Sequence, residues 1–247
     1  MNADVAFKIG KGHKVCQDYA RCDPSGRWAL VSDGCSSSED SDIGARLLVL
    51  CAQNMLKVGH PAEAGIVQAH ALARGLDLPE QCLDATLLVA RYNDDRRGVE
   101  VSMYGDGIVV AVDRHRGIKV YDVSYPSGYP QYLSYSVNPK RNALLGDNEC
   151  HLTYADGKNI ATDKACKGNF FFESSFYGMV AMFSDGVKSF SDKNGTDISW
   201  RTVIDELTDI PSTKGEFVQR QLNWMEKEYT KRGLFHGDDI TMACIVM

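Results

Sequence analysis

Three short apolar runs, each with an aspartate at or beside its end, constrain the fold of this chain more than any other feature. Trp28-Ala29-Leu30-Val31 runs into Ser32-Asp33-Gly34, and Tyr177-Gly178-Met179-Val180-Ala181-Met182-Phe183 runs into Ser184-Asp185-Gly186. The third, residues 240–247, opens after Gly237-Asp238-Asp239. A run of strand length that is apolar at successive positions, rather than alternate ones, belongs to a strand covered on both faces. Each Ser-Asp-Gly taken alone reads as an ordinary turn, in which Asp accepts local backbone hydrogen bonds and Gly takes positive φ.

Helices and further strands separate these runs. Ile43, Leu47, Cys51, Met55 and Val58 form a stripe at helical spacing, with Ser41 available as N-cap and Glu39, Asp40 and Asp42 at the positive end of the dipole. A second helix is expected over residues 61–74, with Pro61 in its first turn. Strands follow at 83–91, 99–104, 108–113 and 118–124, and Gly105-Asp106-Gly107 signals a hairpin. Residues 125–176, with three prolines and four tyrosines between Tyr125 and Tyr135, read as loops with short strands. Two helices then cover 199–208 and 213–231, with Trp200, Val203, Ile204 and Leu207, then Phe217, Leu222, Met225 and Tyr229, on their apolar faces. Strand blocks separated by helix pairs do not alternate as βαβ units do, so the class is α+β, with residues 1–247 forming one domain.

The net charge of −6 and the scarcity of basic clusters argue against nucleic acid and anionic membranes as partners. No stretch approaches the ~18 apolar residues of a membrane span, and the N-terminal residues lack the pattern of a signal peptide. The eight cysteines (Cys16, Cys22, Cys35, Cys51, Cys82, Cys150, Cys166 and Cys244) form no CxxC pair, which fits free thiols in a cytoplasm. A zinc site from His13, Cys16 and Cys22 matches no common spacing.

If the three aspartate-bearing strands are neighbours, Asp33, Asp185 and Asp238 converge at one sheet rim. Each pair of unit charges at about 4 Å would repel by ~1–4 kcal/mol at effective dielectrics between 80 and 20. Divalent cations reverse that sign, and an all-oxygen set suits magnesium or manganese rather than zinc.

With these motifs assembled, the chain resembles a known family. Cys16-Gln17-Asp18, Val31-Ser32-Asp33-Gly34, Asp84-Ala85-Thr86, Gly105-Asp106-Gly107, Phe183-Ser184-Asp185-Gly186 and Asp238-Asp239-Ile240-Thr241, in that order, resemble the metal-dependent protein phosphatases of the protein phosphatase 2C (PPM) type, bacterial members above all. The resemblance implies a four-layer αββα sandwich, two antiparallel sheets flanked by helix pairs. It implies two Mn2+ or Mg2+ ions in a core site, with a looser third. Asp33 would bridge the two core ions, Asp185 and Asp238 would complete the ligands of the first, the Gly34 carbonyl would bind the second, and Asp18 would hold it through water. Asp106 with Asp185 would serve the third. Thr86 would pack beside the site. The implied reaction is hydrolysis of a phosphorylated serine or threonine in a protein substrate, by a metal-bridging hydroxide and without a phosphoenzyme.

The chain departs from the better-known family pattern around the phosphate. His13, with Lys14 beside it, falls where an arginine would bind substrate phosphate; Gln17 replaces a glutamate, Cys35 a histidine and Ser189 an acidic residue. If His13 grips phosphate as a cation, affinity weakens above pH about 6.5; the plainer alternative is a loop histidine in an ordinary hydrogen bond. Cys35 reads either as a reactive thiol or as a small residue in a tight place. A phosphoprotein-binding module without turnover, or a small-molecule phosphatase, would share the same metal motifs. A P-loop enzyme and a GxSxG hydrolase find no match, and Asp40-Ser41-Asp42 leads into a helix rather than following a strand as a haloacid-dehalogenase motif requires.

Overall fold

The computed structural model describes residues 1–144, 149–157, 159–164 and 168–247; Cys166 lies outside them. The first part of the chain forms β1 (Asn2–Lys8), β2 (Asp18–Cys22), β3 (Trp28–Asp33), α1 (Ser41–Lys57), α2 (Gly65–Gly75), β4 (Leu87–Asn93), β5 (Gly98–Tyr104), β6 (Gly107–Asp113) and β7 (Ile118–Ser124). The second part forms α3 (Pro139–Leu144), β8 (His151–Asp156), β9 (Asn159–Asp163), β10 (Asn169–Glu173), β11 (Tyr177–Phe183), β12 (Phe190–Asp192), α4 (Trp200–Thr208), α5 (Phe217–Lys231), β13 (Leu234–His236) and β14 (Ile240–Val246).

Two large antiparallel sheets result, in the orders β1-β14-β11-β6-β7-β8-β9 and β10-β5-β4-β3-β2, and β12 pairs with β13 in a small third one. The apolar runs occupy interior strands, as continuous hydrophobicity demands. Along β14, Ile240, Met242 and Cys244 pack towards α4 and α5, whereas Ala243 and Ile245 pack towards the other sheet. In β3, Trp28 and Leu30 meet α1 and α2, while Ala29 and Val31 face the inter-sheet core. The class is α+β, with helices outside two face-to-face sheets.

Three local expectations need correction. Gly105-Asp106-Gly107 is not a hairpin: β5 pairs with β4 and β10, and β6 pairs with β11 and β7, so the chain crosses here from one sheet to the other. The same turn chemistry serves both connections, with Gly105 and Gly107 at φ 93° and 142°. Ser41 does not cap α1; it lies within the helix and its Oγ accepts from Gln17 Nε2 at 2.9 Å, while Asp40 precedes the helix in a left-handed conformation. Gly34 and Gly186 do not take positive φ. They are required by close approach: an added Cβ would stand 2.7 Å from the Ser41 carbonyl oxygen at Gly34, and 1.7 Å from that of Asp239 at Gly186.

Candidate active site

The site forms where the inward-facing rows of both sheets run out of apolar residues. Asp33 continues the Ala29, Val31 row, Thr86 continues the Leu88, Ala90 row, and Thr241 continues the Ala243, Ile245 row. Asp18 lies directly opposite Asp33 in the β2–β3 ladder. Cross-strand partners share a face, so backbone register alone brings these two carboxylates together.

Hydrogen bonds lock the strand ends to one another. Asp33 N–H donates to Thr86 Oγ1 at 3.0 Å, and Ser32 Oγ donates to the Thr86 carbonyl at 2.6 Å. Ser184 Oγ donates to Asp18 Oδ2 at 2.7 Å and accepts from Thr241 N–H at 2.9 Å, joining the two sheets. Ser189 Oγ donates to the Gly186 carbonyl at 2.7 Å and accepts from Asp238 N–H at 3.1 Å. A serine thus ties the Asp185 turn to Asp238 where the resemblance led one to expect an acid.

Asp33, Asp106, Asp185 and Asp238 line one cavity of about 250 Å³, together with Gly34, Cys35, Ser36, Ser37, Thr86, Gly128, Pro130 and Tyr132. Asp18 is buried beneath Asp33. No Lys, Arg or His is among the described lining residues. Burial, followed by the Asp18 and Asp185 charges, pushes the Asp33 carboxyl well above its ordinary range. Burial likewise pushes Asp18 up to about 7 and Asp106 up to about 6, the latter helped by the Asp185 charge. Asp238 is also raised, by burial first and Asp185 second.

His13 and Lys14 are not in the cavity wall. His13 stands with Nδ1 3.0 Å from Asp239 Oδ2 and Nε2 3.4 Å from Asp238 Oδ1. The contact with Asp239 raises its pKa. Lys14 is exposed. Asp239 was not singled out by sequence reasoning, yet it is fully buried and its carboxylate accepts from Gly10 N–H at 2.7 Å and Gln17 N–H at 2.6 Å. It anchors the loop between β1 and β2. The available signal was its place in the row Asp239, Thr241, Ala243, which points inward. Tyr132 was likewise missed: four tyrosines lie close together in sequence, and no local pattern marks the one that reaches the cavity.

The donor chemistry suits hard cations. The lining carboxylates and the Gly34 carbonyl offer oxygen donors only. Asp18 Oδ1 is buried and, among the described residues, meets no hydrogen-bond donor. Among the described residues, no three His, Cys, Asp or Glu side chains close on one point in a metal-ligating arrangement; the carboxylates stand around the cavity wall instead. Crowded carboxylates with raised pKa values are charged together only when cations share the site.

The sequence model of the protein phosphatase 2C family matches residues 9–129. Among curated proteins no sequence matches. Solved structures of bacterial phosphatases align over nearly the full chain. The PPM Ser-Thr phosphatase MsPP from Mycobacterium smegmatis, in complex with cacodylate, is 16% identical, covering 100% of this chain and 98% of its own, with a TM-score of 0.59. A bacterial serine phosphatase is 13% identical over 100% of this chain and 97% of its own, with a TM-score of 0.60. The serine/threonine phosphatase Stp1 from Staphylococcus aureus is 12% identical over 99% and 94%, with a TM-score of 0.54. At these identities the likeness is one of fold. The family match covers just under half of the chain, and the fold of the whole chain is similar to that of these phosphatases. More narrowly, the likeness is to phosphatases of the PPM, or protein phosphatase 2C, type.

Proposed function

We propose that this chain is a metal-dependent phosphatase of phosphorylated serine or threonine side chains, using magnesium or manganese. The observation that carries the reading is a cavity lined by Asp33, Asp106, Asp185 and Asp238 without a lining Lys, Arg or His among the described residues. A phosphate dianion does not enter such a site unless divalent cations first change its sign. Asp33, Asp185, Asp238 and the Gly34 carbonyl would hold the core ions, Asp18 would support them from beneath, and Asp106 with Asp185 would take a third. Bound there, such ions supply a water of lowered pKa and charge for the phosphoryl oxygens. The chain's own part is to keep the carboxylates in register, to exclude cationic side chains that would compete for them, and to present hydroxyl groups in the same cavity.

Titration with manganese, using 4-nitrophenyl phosphate and a phosphoserine peptide, tests this. The expected result is turnover that needs added metal and falls at least about 10³-fold in Asp33→Asn, the scale of losing a group that organises transition-state charge. Tight phosphopeptide binding without turnover at saturating metal would instead identify a binding module.

A further inference from the structure

The cavity has a second wall, opposite in chemistry to the carboxylates. Cys35, Ser36, Ser37 and Tyr132 contribute thiol and hydroxyl groups to it. The Tyr132 phenol lies beside Cys35, and Cys35 Sγ lies 3.1 Å from Ser37 Oγ. Tyr132 comes from the segment after β7, far in sequence from Cys35, so something must fix their separation.

That something is Asp84. Its carbonyl accepts from Cys35 N–H at 2.8 Å, which places one half of the donor pair. Its buried carboxylate accepts from Ser134 Oγ at 3.0 Å and pairs with Arg141, which places the other half. The Arg141 guanidinium covers the Tyr135 ring at 4.6 Å, and Tyr135 meets the Tyr132 ring edge-on at 5.6 Å. One residue therefore holds Cys35 by its backbone and Tyr132 by its side chain. The phenol is kept neutral above all by burial. It is a donor at every pH at which the enzyme would work.

Resting on the phosphatase reading above, we propose that the Tyr132 hydroxyl donates a hydrogen bond to the leaving oxygen of the bound phosphoester, with the Asp84–Arg141 pair as its positioning device. A phosphoserine leaves as an alkoxide, on which much more charge develops than on a nitrophenolate. A donor at the leaving oxygen therefore matters more for the peptide than for the aryl ester.

The test is the dependence of kcat/KM on leaving-group pKa, measured with manganese for a series of aryl phosphates and a phosphoserine peptide. For Tyr132→Phe we expect a loss of about threefold on 4-nitrophenyl phosphate and about hundredfold on the peptide, so that the plot steepens. Arg141→Ala, which leaves the phenol in place but frees its support, should steepen the same plot by a smaller amount, with partial recovery in Arg141→Lys. An equal loss on all substrates, or no loss, in a Tyr132→Phe protein that melts like the wild type overturns the assignment. If Tyr132→Phe does not fold, the Arg141→Ala slope decides, and an unchanged slope overturns it. Wild-type protein that hydrolyses no substrate in the series overturns the phosphatase reading, and this inference with it.

Discussion

The two walls of the cavity are built by different means. The carboxylate wall is made by backbone: Asp33 and Asp18 face each other in a ladder, and Asp185 and Asp238 flank paired strands whose register sets Phe183 against Met242. The donor wall is made by side chains, with Tyr132 reaching the cavity through contacts that converge on Asp84. A wall made by register can be moved only by moving the core, which is close-packed and resists it. A wall hung on one carboxylate can be loosened by a single substitution far from the chemistry.

Gly186→Ala is the harshest way to break the first wall without touching a carboxylate. The new methyl would lie 1.7 Å from the Asp239 carbonyl oxygen, so either the turn after Asp185 or the start of β14 must shift. A displacement of about 1 Å in a positioned group can cost ~10²-fold in rate. We expect kcat to fall at least about hundredfold, with a lower melting temperature, read by manganese-supported turnover and thermal unfolding. A variant with wild-type rate and melting temperature would show that the rigid wall tolerates movement, and the contrast between the walls would fail.

The electrostatics of the carboxylate wall give a second, smaller effect on stability. Asp18 and Asp106 are pushed up to about 7 and about 6, with burial the largest cause in each. A carboxyl whose folded pKa exceeds its unfolded value stabilises the fold fully below about pH 4, and that contribution is lost as pH rises through the folded values. Metal-free protein should therefore melt at progressively lower temperature from pH 5 to pH 8. The fall should be roughly 5–10 °C, given ~2–4 °C per kcal/mol for a chain of this size. Manganese should abolish much of it, and Asp18→Asn should flatten it. A metal-free melting temperature that rises over this range would mean the carboxylates are not crowded in solution.

The same division explains what could be read in the sequence. Register-built features leave a sequence trace, because strands covered on both faces are apolar throughout and their ends are marked by polar residues. So the α+β class, the central strands, and the meeting of Asp33, Asp185 and Asp238 at one cavity were legible from the sequence. The glycine after each of Asp33 and Asp185 was legible as a necessity, but its cause was not: φ is a local property, whereas contact with Ser41 or Asp239 depends on packing. The crossing at Gly105-Asp106-Gly107 was missed for the same reason, since a turn does not say which sheet receives the next strand. Tyr132 and Arg141 were illegible, because their roles depend on Asp84, about fifty residues earlier in the chain, and on no periodic pattern.

The smallest expected effect sharpens the boundary between the walls at His13. Its position in sequence left two roles open, a cation that grips phosphate or a loop histidine in an ordinary hydrogen bond; it stands beside Asp238 and Asp239 and outside the cavity lining. If its charge serves those carboxylates, His13→Ala should change KM for 4-nitrophenyl phosphate by less than about twofold between pH 6 and pH 8, whereas loss of a charged phosphate contact would cost about tenfold or more. Its effect should appear in stability instead. The Asp239 contact raises the pKa of His13, so its contribution is fully present below the unfolded value of about 6.5 and fades as pH rises through the folded one. Because the side chain is 22% exposed and the Asp238 partner 44%, the contribution stays below about 1 kcal/mol. The melting-temperature difference between wild type and variant should therefore be a few degrees at pH 6 and smaller at pH 9. A KM that rises severalfold in the variant, with loss of the wild-type pH dependence above 6.5, would return His13 to the substrate and require the loop between β1 and β2 to swing towards the cavity when phosphate binds.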